Sequence, residues 1–282
     1  MSANVLFDAP GPRARVRNRV VGALAALAIL ALLWFVYRRL DSSGQFASYL
    51  WEPFQYTDIQ QRIVDGLVAT LKAFALAAVF SLVLGGTLAA GRLSDHAPVR
   101  WVATVVVEFF RAMPLLIMIF ALYVGVFTAA PLWALVIGLT LYNGSVQAEI
   151  FRAGINAVPK GQREAAYAVG LRKTQVMVFV LIPQATRAML PSIISQLVVT
   201  LKDTSLGYII TYEELLYTGN LIAKNSAGFP FIPMIIIVAP IYILMCLALS
   251  ALANWIERHG RRSRKGAPPK AGDIKAVEAA AE

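Results

Sequence analysis

Polar side chains set in apolar surroundings are the residues of this sequence best placed to do chemistry. Lys202-Asp203-Thr204-Ser205 falls late in an apolar run that starts at Leu190. An ionisable residue inside a membrane span is costly to keep there, so it marks function by default. Asp203 suits an ammonium group, and Lys202 with the hydroxyls of Thr204 and Ser205 suits a carboxylate. The alternative is that Lys202 and Asp203 pair within a helix bundle or sit at its outer interface. Asn143, accompanied by Ser145 and Gln147, is a second polar group in an apolar run. It reads either as a ligand contact or as an interhelical hydrogen bond. Glu108, Arg111 and Pro114 form a third constellation. Residues three apart share a helix face, so Glu108 and Arg111 can pair. Pro114 lacks a backbone donor and kinks or ends a helix. Together these three could line an inner gate, or the two charges could simply satisfy each other and nearby carbonyls.

Several other chemistries have no basis in the sequence. His96 and His259 lie far apart, with no metal-like spacing around either. Cys246 is the single cysteine, so an internal disulfide framework is excluded. No G-x-x-x-x-G-K-[ST] loop occurs, which removes ATP binding by that route. A membrane-embedded enzyme would need clustered acid, base, nucleophile or metal ligands at membrane depth, and no such cluster is apparent.

The elements that must position these residues follow from composition. The chain has 282 residues, 58% of them hydrophobic and 15% charged, with a mean hydropathy of +0.64. Soluble domains carry about 25% charged residues. The net charge is nevertheless +10. An apolar chain with this balance points to a membrane rather than to nucleic acid. A helix needs about 20 mostly apolar residues to cross the hydrocarbon core. Six candidate spans meet that need: residues 20–37, 63–90, 101–127, 131–148, 190–210 and 232–255. Within the third, Trp101–Ala112 reads as a partly interfacial helix and Met113–Phe127 as the deeper part, with one long kinked helix as the alternative. The run at 20–37 is long for the core of a signal peptide and lacks a clear cleavage site, so it is expected to be retained.

Lys and Arg concentrate on the cytoplasmic side of short loops. Placing both termini inside puts Arg13, Arg15, Arg17 and Arg19, the basic residues of the stretch 149–189, and the Arg- and Lys-rich tail on one side. Arg38, Arg39, Arg62 and Lys224 fall outside. Residues 1–19 then form a basic arm, 38–62 an external loop, and 257–282 a basic, disordered tail.

The stretch 149–189 is not built like a connector. Gly161–Leu171 reads as a short helix rich in Ala, Glu and Arg, with Pro159 before it and Gly170 placed to end it. Its small side chains would let another protein's surface come close to the backbone, as a short helix docking in a groove requires. An interfacial helix resting on lipid is the alternative, but the apolar face is weak.

Here a resemblance becomes specific. Glu164-Ala165-Ala166, three residues, Gly170, nine residues, then Val180-Leu181-Ile182-Pro183 resembles the EAA loop of ABC importer permeases, E-A-A-x3-G-x9-I-x-L-P. Ala148–Ile155, Val158-Pro159-x-Gly161-Gln162, Leu201–Leu206 and Glu108–Leu116 are similar to the polar amino acid branch of that family, which carries histidine, glutamate, glutamine, arginine or opines. The opening Val5–Pro12 resembles actinobacterial glutamate-uptake permeases. The match spans about residues 66–253.

The resemblance implies an all-α integral membrane protein with the type I ABC importer permease fold, residues 63–256 forming the transmembrane domain. Family members often have five spans, so the helix at 20–37 would be an N-terminal addition. It implies a bacterial plasma membrane location and a pathway made with a second permease subunit. Two ATPase subunits would hold ATP and Mg, and an external binding protein would deliver the substrate; the chain itself would bind no cofactor. The EAA segment would be the coupling helix, with Gly161, Glu164, Ala165, Ala166, Gly170 and Pro183 at the ATPase contact. Lys202, Asp203, Thr204, Ser205 and Asn143 would be candidates for the translocation path, and Glu108, Arg111 and Pro114 for the inner gate.

Overall fold

The computed structural model describes residues 11–262. Most of the N-terminal stretch Val5–Pro12 and most of the tail lie outside the described residues. Among the described residues the secondary structure is helical throughout.

Helix α1 (Pro12–Ser42) starts on Pro12, whose missing N–H costs nothing in a first turn. It buries none of its residues against the rest of the chain. A short 3-10 segment, Ser48–Gln55, leads to α2 (Thr57–Arg92). The buried positions of α2 include Gly66, Thr70, Ala73, Ala77, Ser81, Gly85 and Ala89. They recur every three or four residues, which places them on one helical face, and all are small. That face lies on α5 (Pro131–Asn156) closely enough that a Cβ at Gly85 would stand 2.9 Å from the Gln147 Cβ and 3.0 Å from the Gly144 carbonyl. Small residues at a helix contact permit this approach within membranes.

The expected span 101–127 is broken. Helices α3 (Ala97–Ala112) and α4 (Leu115–Gly125) meet at 98°. The cause is local: Pro114 disfavours helical backbone at the residue before it, and Met113 is extended at φ −77°, ψ 130°. With 16 and 11 residues, neither helix reaches the length a span needs alone.

Helix α5 lies at the centre of the bundle. It has 26 residues, about 39 Å of helix, which is ample to span. Yet it is not among the four helices long and apolar enough to cross a membrane, or five with the bent pair. The reason is its position. Leu135, Asn143, Gly144, Ser145, Gln147 and Ala148 are all buried by neighbouring helices, so α5 needs less apolar surface than its lipid-facing neighbours.

The expected loop 149–189 is largely helical. Helix α5 continues to Asn156, and α6 (Lys160–Ala168) follows. From Lys173 a single helical stretch of 38 residues runs to Ile210. It comprises α7 (Lys173–Gln175), a π turn (Val176–Leu181), α8 (Ile182–Asp203) and a 3-10 end (Thr204–Ile210). The expected start at Leu190 is thus too late. Helix α9 (Leu215–Asn225) was not anticipated, being too short for a span. Helix α10 (Phe231–Arg262) runs past Glu257, so the first part of the expected tail is helix.

Candidate functional site

Helix α6 ends in a Schellman motif. Gly170 N donates to the Tyr167 carbonyl at 2.9 Å and Leu171 N to the Ala166 carbonyl at 3.2 Å. The motif needs a left-handed residue after the helix, and Gly170 supplies it at φ 82°. The helix is seated by Ala166, 6% exposed, in an apolar cluster with Ile155, Val158, Val176, Leu181, Ala185 and Met189. Glu164, Ala165, Tyr167, Ala168 and Val169 remain exposed, Val169 by 77%. Glu164 has no hydrogen bond or ion pair among the described residues. A Cβ at Gly161 would meet nothing within 4 Å, and Pro183 is exposed in the first turn of α8. Gly161, Glu164 and Ala165, three and four residues apart, share an exposed face of α6, and Gly170 is exposed at its end. Ala166 does not share that face: its side chain faces the bundle and seats the helix rather than meeting a partner.

The expected Glu108–Arg111 pair is present at 3.5 Å, and Pro114 caps α4 beside it. The pair belongs to a larger network. Arg92 Nη2 lies 3.4 Å from Glu108 Oε1, and Arg92 Nη1 lies 2.9 Å from Glu149 Oε2. Arg152 meets Glu149 through two hydrogen bonds, at 2.5 Å and 3.0 Å. Nearby, Lys173 pairs with Asp95 in the turn between α2 and α3. The Lys173 ammonium holds the Asp95 carboxyl below the usual carboxylate range. The Arg92 bridge is not legible in sequence, because Arg92 and Glu149 are separated by 57 positions; the Glu149–Arg152 pair, three residues apart, has the helical spacing that could have revealed it. All of these charges lie at the α6 end of the bundle.

The candidates of the translocation path separate. Lys202 and Ser205 line a cavity of about 560 Å³ between α8, α9 and α10, together with Tyr208, Leu216, Asn220 and Tyr242. Asp203 is half-buried and has no hydrogen bond or ion pair within the described residues. Thr204 is fully buried, and its hydroxyl donates to the Leu201 carbonyl at 2.6 Å. It is not free to bind a ligand. Asn143 is also committed: its Nδ2 donates to the Leu139 carbonyl at 3.0 Å, and its Oδ1 accepts from Gln196 Nε2 at 2.7 Å. The interhelical alternative is the one the geometry carries, linking α5 to α8. Gln147 makes a second such rung, to Ser81 of α2 at 3.2 Å.

Glu214 is fully buried. Its carboxylate caps α9, accepting from Leu216 N and Tyr217 N at 2.8 Å each. An acid at this position faces the positive end of the helix. The turn before it holds Thr211 at φ 57°, an uncommon conformation for a β-branched residue.

A broken α3–α4 span, a bundle centred on α5 and a short exposed helix beside it together define a permease architecture. Residues 81–262 match the family described as binding-protein-dependent transport system inner membrane component, and the chain belongs to that family. Over 233 residues it is 42% identical to the protein named glutamate transport system permease protein GluD of Corynebacterium glutamicum, covering 80% of this chain and 85% of that one. Over 208 residues it is 32% identical to the glutamate/aspartate import permease protein GltK of Escherichia coli, covering 70% and 92%. A crystal structure of an amino acid ABC transporter with histidines matches with a TM-score of 0.64 at 32% identity, over 73% of this chain and 97% of that chain. The all-α fold expected from the resemblance is the fold observed.

Proposed function

We propose that the chain is the membrane-spanning permease subunit of an ATP-driven importer for glutamate. Membership of the family supports the permease role, and the names of the relatives from Corynebacterium and Escherichia support the substrate. The observation that carries the coupling role is α6. It presents Glu164 without an internal partner, on a helix fixed from below by Ala166 and closed by Gly170. Such an element transmits displacement because it cannot easily deform on its own apolar seat.

In this reading two ATPase subunits, which hold ATP and Mg, dock on α6 and its counterpart in a second permease subunit. An external binding protein delivers the amino acid on the opposite side, and both termini lie in the cytoplasm. Closure of the ATPases moves α6 and biases the bundle between its inward- and outward-open states. Lys202 and Ser205 line the cavity that would take a carboxylate; Asp203, which does not line it, would meet the ammonium group from the adjoining turn of α8.

The test is reconstitution of the chain with its neighbouring gene products in vesicles. Glutamate is expected to stimulate ATP hydrolysis and to accumulate. Uptake by the purified chain alone, driven by an ion gradient, would overturn the reading in favour of a secondary transporter.

A further inference from the structure

The charge network at the α6 end goes beyond a docking surface. We infer that Arg92 is a positioning residue that makes the α3–α4 elbow move with the docking helix. The inference rests on the coupling role proposed for α6.

Three observations carry it. First, α3 contributes nothing to the apolar cluster that seats α6. It joins α2 and α5 through Val107, packed with Ala89 and Ala148, and through the ion pairs of Arg92. Second, Arg92 is the hub of those pairs. Its side chain is only 11% exposed and bridges Glu108 of α3 to Glu149 of α5. A planar guanidinium can hold two carboxylates at once, which a lysine ammonium does less well. Glu108 in turn holds Arg111, which lies just before the 98° break. Third, the turn that follows Arg92 carries Asp95, and Asp95 is paired with Lys173, the first residue of the helix after α6.

The path alternates ion pairs with short stretches of backbone, Ala168–Lys173 and Arg92–Asp95. It runs from the end of α6 through Lys173 and Asp95 to the α2–α3 turn, then through Arg92 to Glu108 and Arg111 at the elbow. Arg111 and Glu149 also line one cavity of about 470 Å³, walled on the far side by Met189 and Ser192 of α8. A displacement of α6 carried along this path changes the width of that cavity. The exposed Asp95–Lys173 pair is weak by itself, so the largely enclosed Arg92 hub is the principal member. A two-state element biased from both ends is what such a coupling requires.

The experiment measures glutamate uptake and ATP hydrolysis in the same vesicles holding the complete transporter. Arg92→Gln is expected to lower uptake per ATP hydrolysed by about tenfold, within the usual range of coupling between sites, while stimulated hydrolysis stays within about twofold. Arg92→Lys should recover part of the ratio. Asp95→Lys and Lys173→Asp should each lower the ratio, and the double exchange should restore it. An unchanged ratio in Arg92→Gln overturns the inference. So does an equal fall of uptake and hydrolysis that Arg92→Lys fails to relieve, because that pattern is loss of packing. If the unaltered complex shows no glutamate-dependent hydrolysis, the functional reading fails first, and the inference falls with it.

Discussion

The Tyr242 hydroxyl donates to Oε2 of Glu214 at 2.5 Å, joining α10 to the capped end of α9 across the wall of the Lys202 cavity. Thr70 of α2 accepts from Leu215 N at 3.1 Å beside it, so three helices meet at this point. Removing the tyrosine hydroxyl by Tyr242→Phe leaves the carboxylate its two backbone donors. The cost should be about 1.5–3 kcal/mol, the range for a hydrogen bond to a charged group. Glu214→Ala should cost more, since the α9 cap goes too, itself worth about 0.5–2 kcal/mol. Thermal unfolding of the detergent-solubilised protein orders the two variants.

The α2–α5 contact gives a sharper contrast between neighbours. A Cβ at Gly85 would stand 2.9–3.0 Å from Gln147 and Gly144, whereas a Cβ at the adjacent Gly86 would meet nothing within 4 Å. Gly85→Ala should therefore destabilise by about 1–3 kcal/mol, as overpacking does. Gly86→Ala should be neutral or stabilising by up to about 1 kcal/mol, through helix propensity. Unfolding midpoints of the two variants check the pair directly.

Helix α6 separates folding from docking in the same way. Gly170→Ala puts a Cβ on a residue at φ 82°, which should cost about 1–2 kcal/mol. Gly161→Leu has open space around it and should leave stability unchanged or raise it by up to about 1 kcal/mol. If α6 docks on the ATPase, Gly161→Leu should still weaken glutamate-stimulated hydrolysis. Parallel melting curves and hydrolysis rates are the measurement.

In the cavity, Lys202→Gln should raise the KM for uptake by about tenfold to a hundredfold, the value of a hydrogen bond to a charged group. Thr204→Ser keeps the hydroxyl that meets the Leu201 carbonyl and should leave KM unchanged. An Asp203→Asn variant with wild-type uptake would remove Asp203 from the ammonium role.

The Asp95–Lys173 pair predicts a pH window. The folded carboxyl titrates below the unfolded one, near 3.9 for an ordinary aspartate, so its stabilisation is present above about pH 4 and is lost as pH falls through the lowered folded value. Both side chains are largely solvated, at 77% and 45% exposure, so the effect should shrink as salt rises. Comparing acid unfolding of Asp95→Asn with the parent at low and high salt isolates it.

What the sequence disclosed was decided by local sterics. Pro114 broke its helix where its ring requires, and Gly170 took the left-handed turn its position after the helix implies. The Glu108–Arg111 pair followed from helical spacing. What stayed hidden was decided by chain return. Ser81 and Gln147 are 66 positions apart, and Asn143 and Gln196 are 53 apart. No local pattern distinguishes such polar groups from ligand contacts, which is why Asn143 read both ways. Glu214 was hidden for a related reason: an acid at the edge of an apolar run resembles an exposed loop residue until the helices that cover it are in place. Ala166 belongs to the EAA motif by sequence and to the seat beneath α6 by geometry, a distinction only the facing helices make.

Helix α1 shares no core with the bundle, and the contacts that follow it are made by the connecting loop. Gln45 Oε1 accepts from Phe231 N at 3.1 Å, and its Nε2 donates to the Phe229 carbonyl at 3.3 Å. Apart from Tyr37, whose ring stacks on Phe46 of that loop, the apolar middle of α1 meets no core residue among the described residues. That stretch is therefore held to apolar character rather than to shape, whereas the face of α2 is held to small side chains.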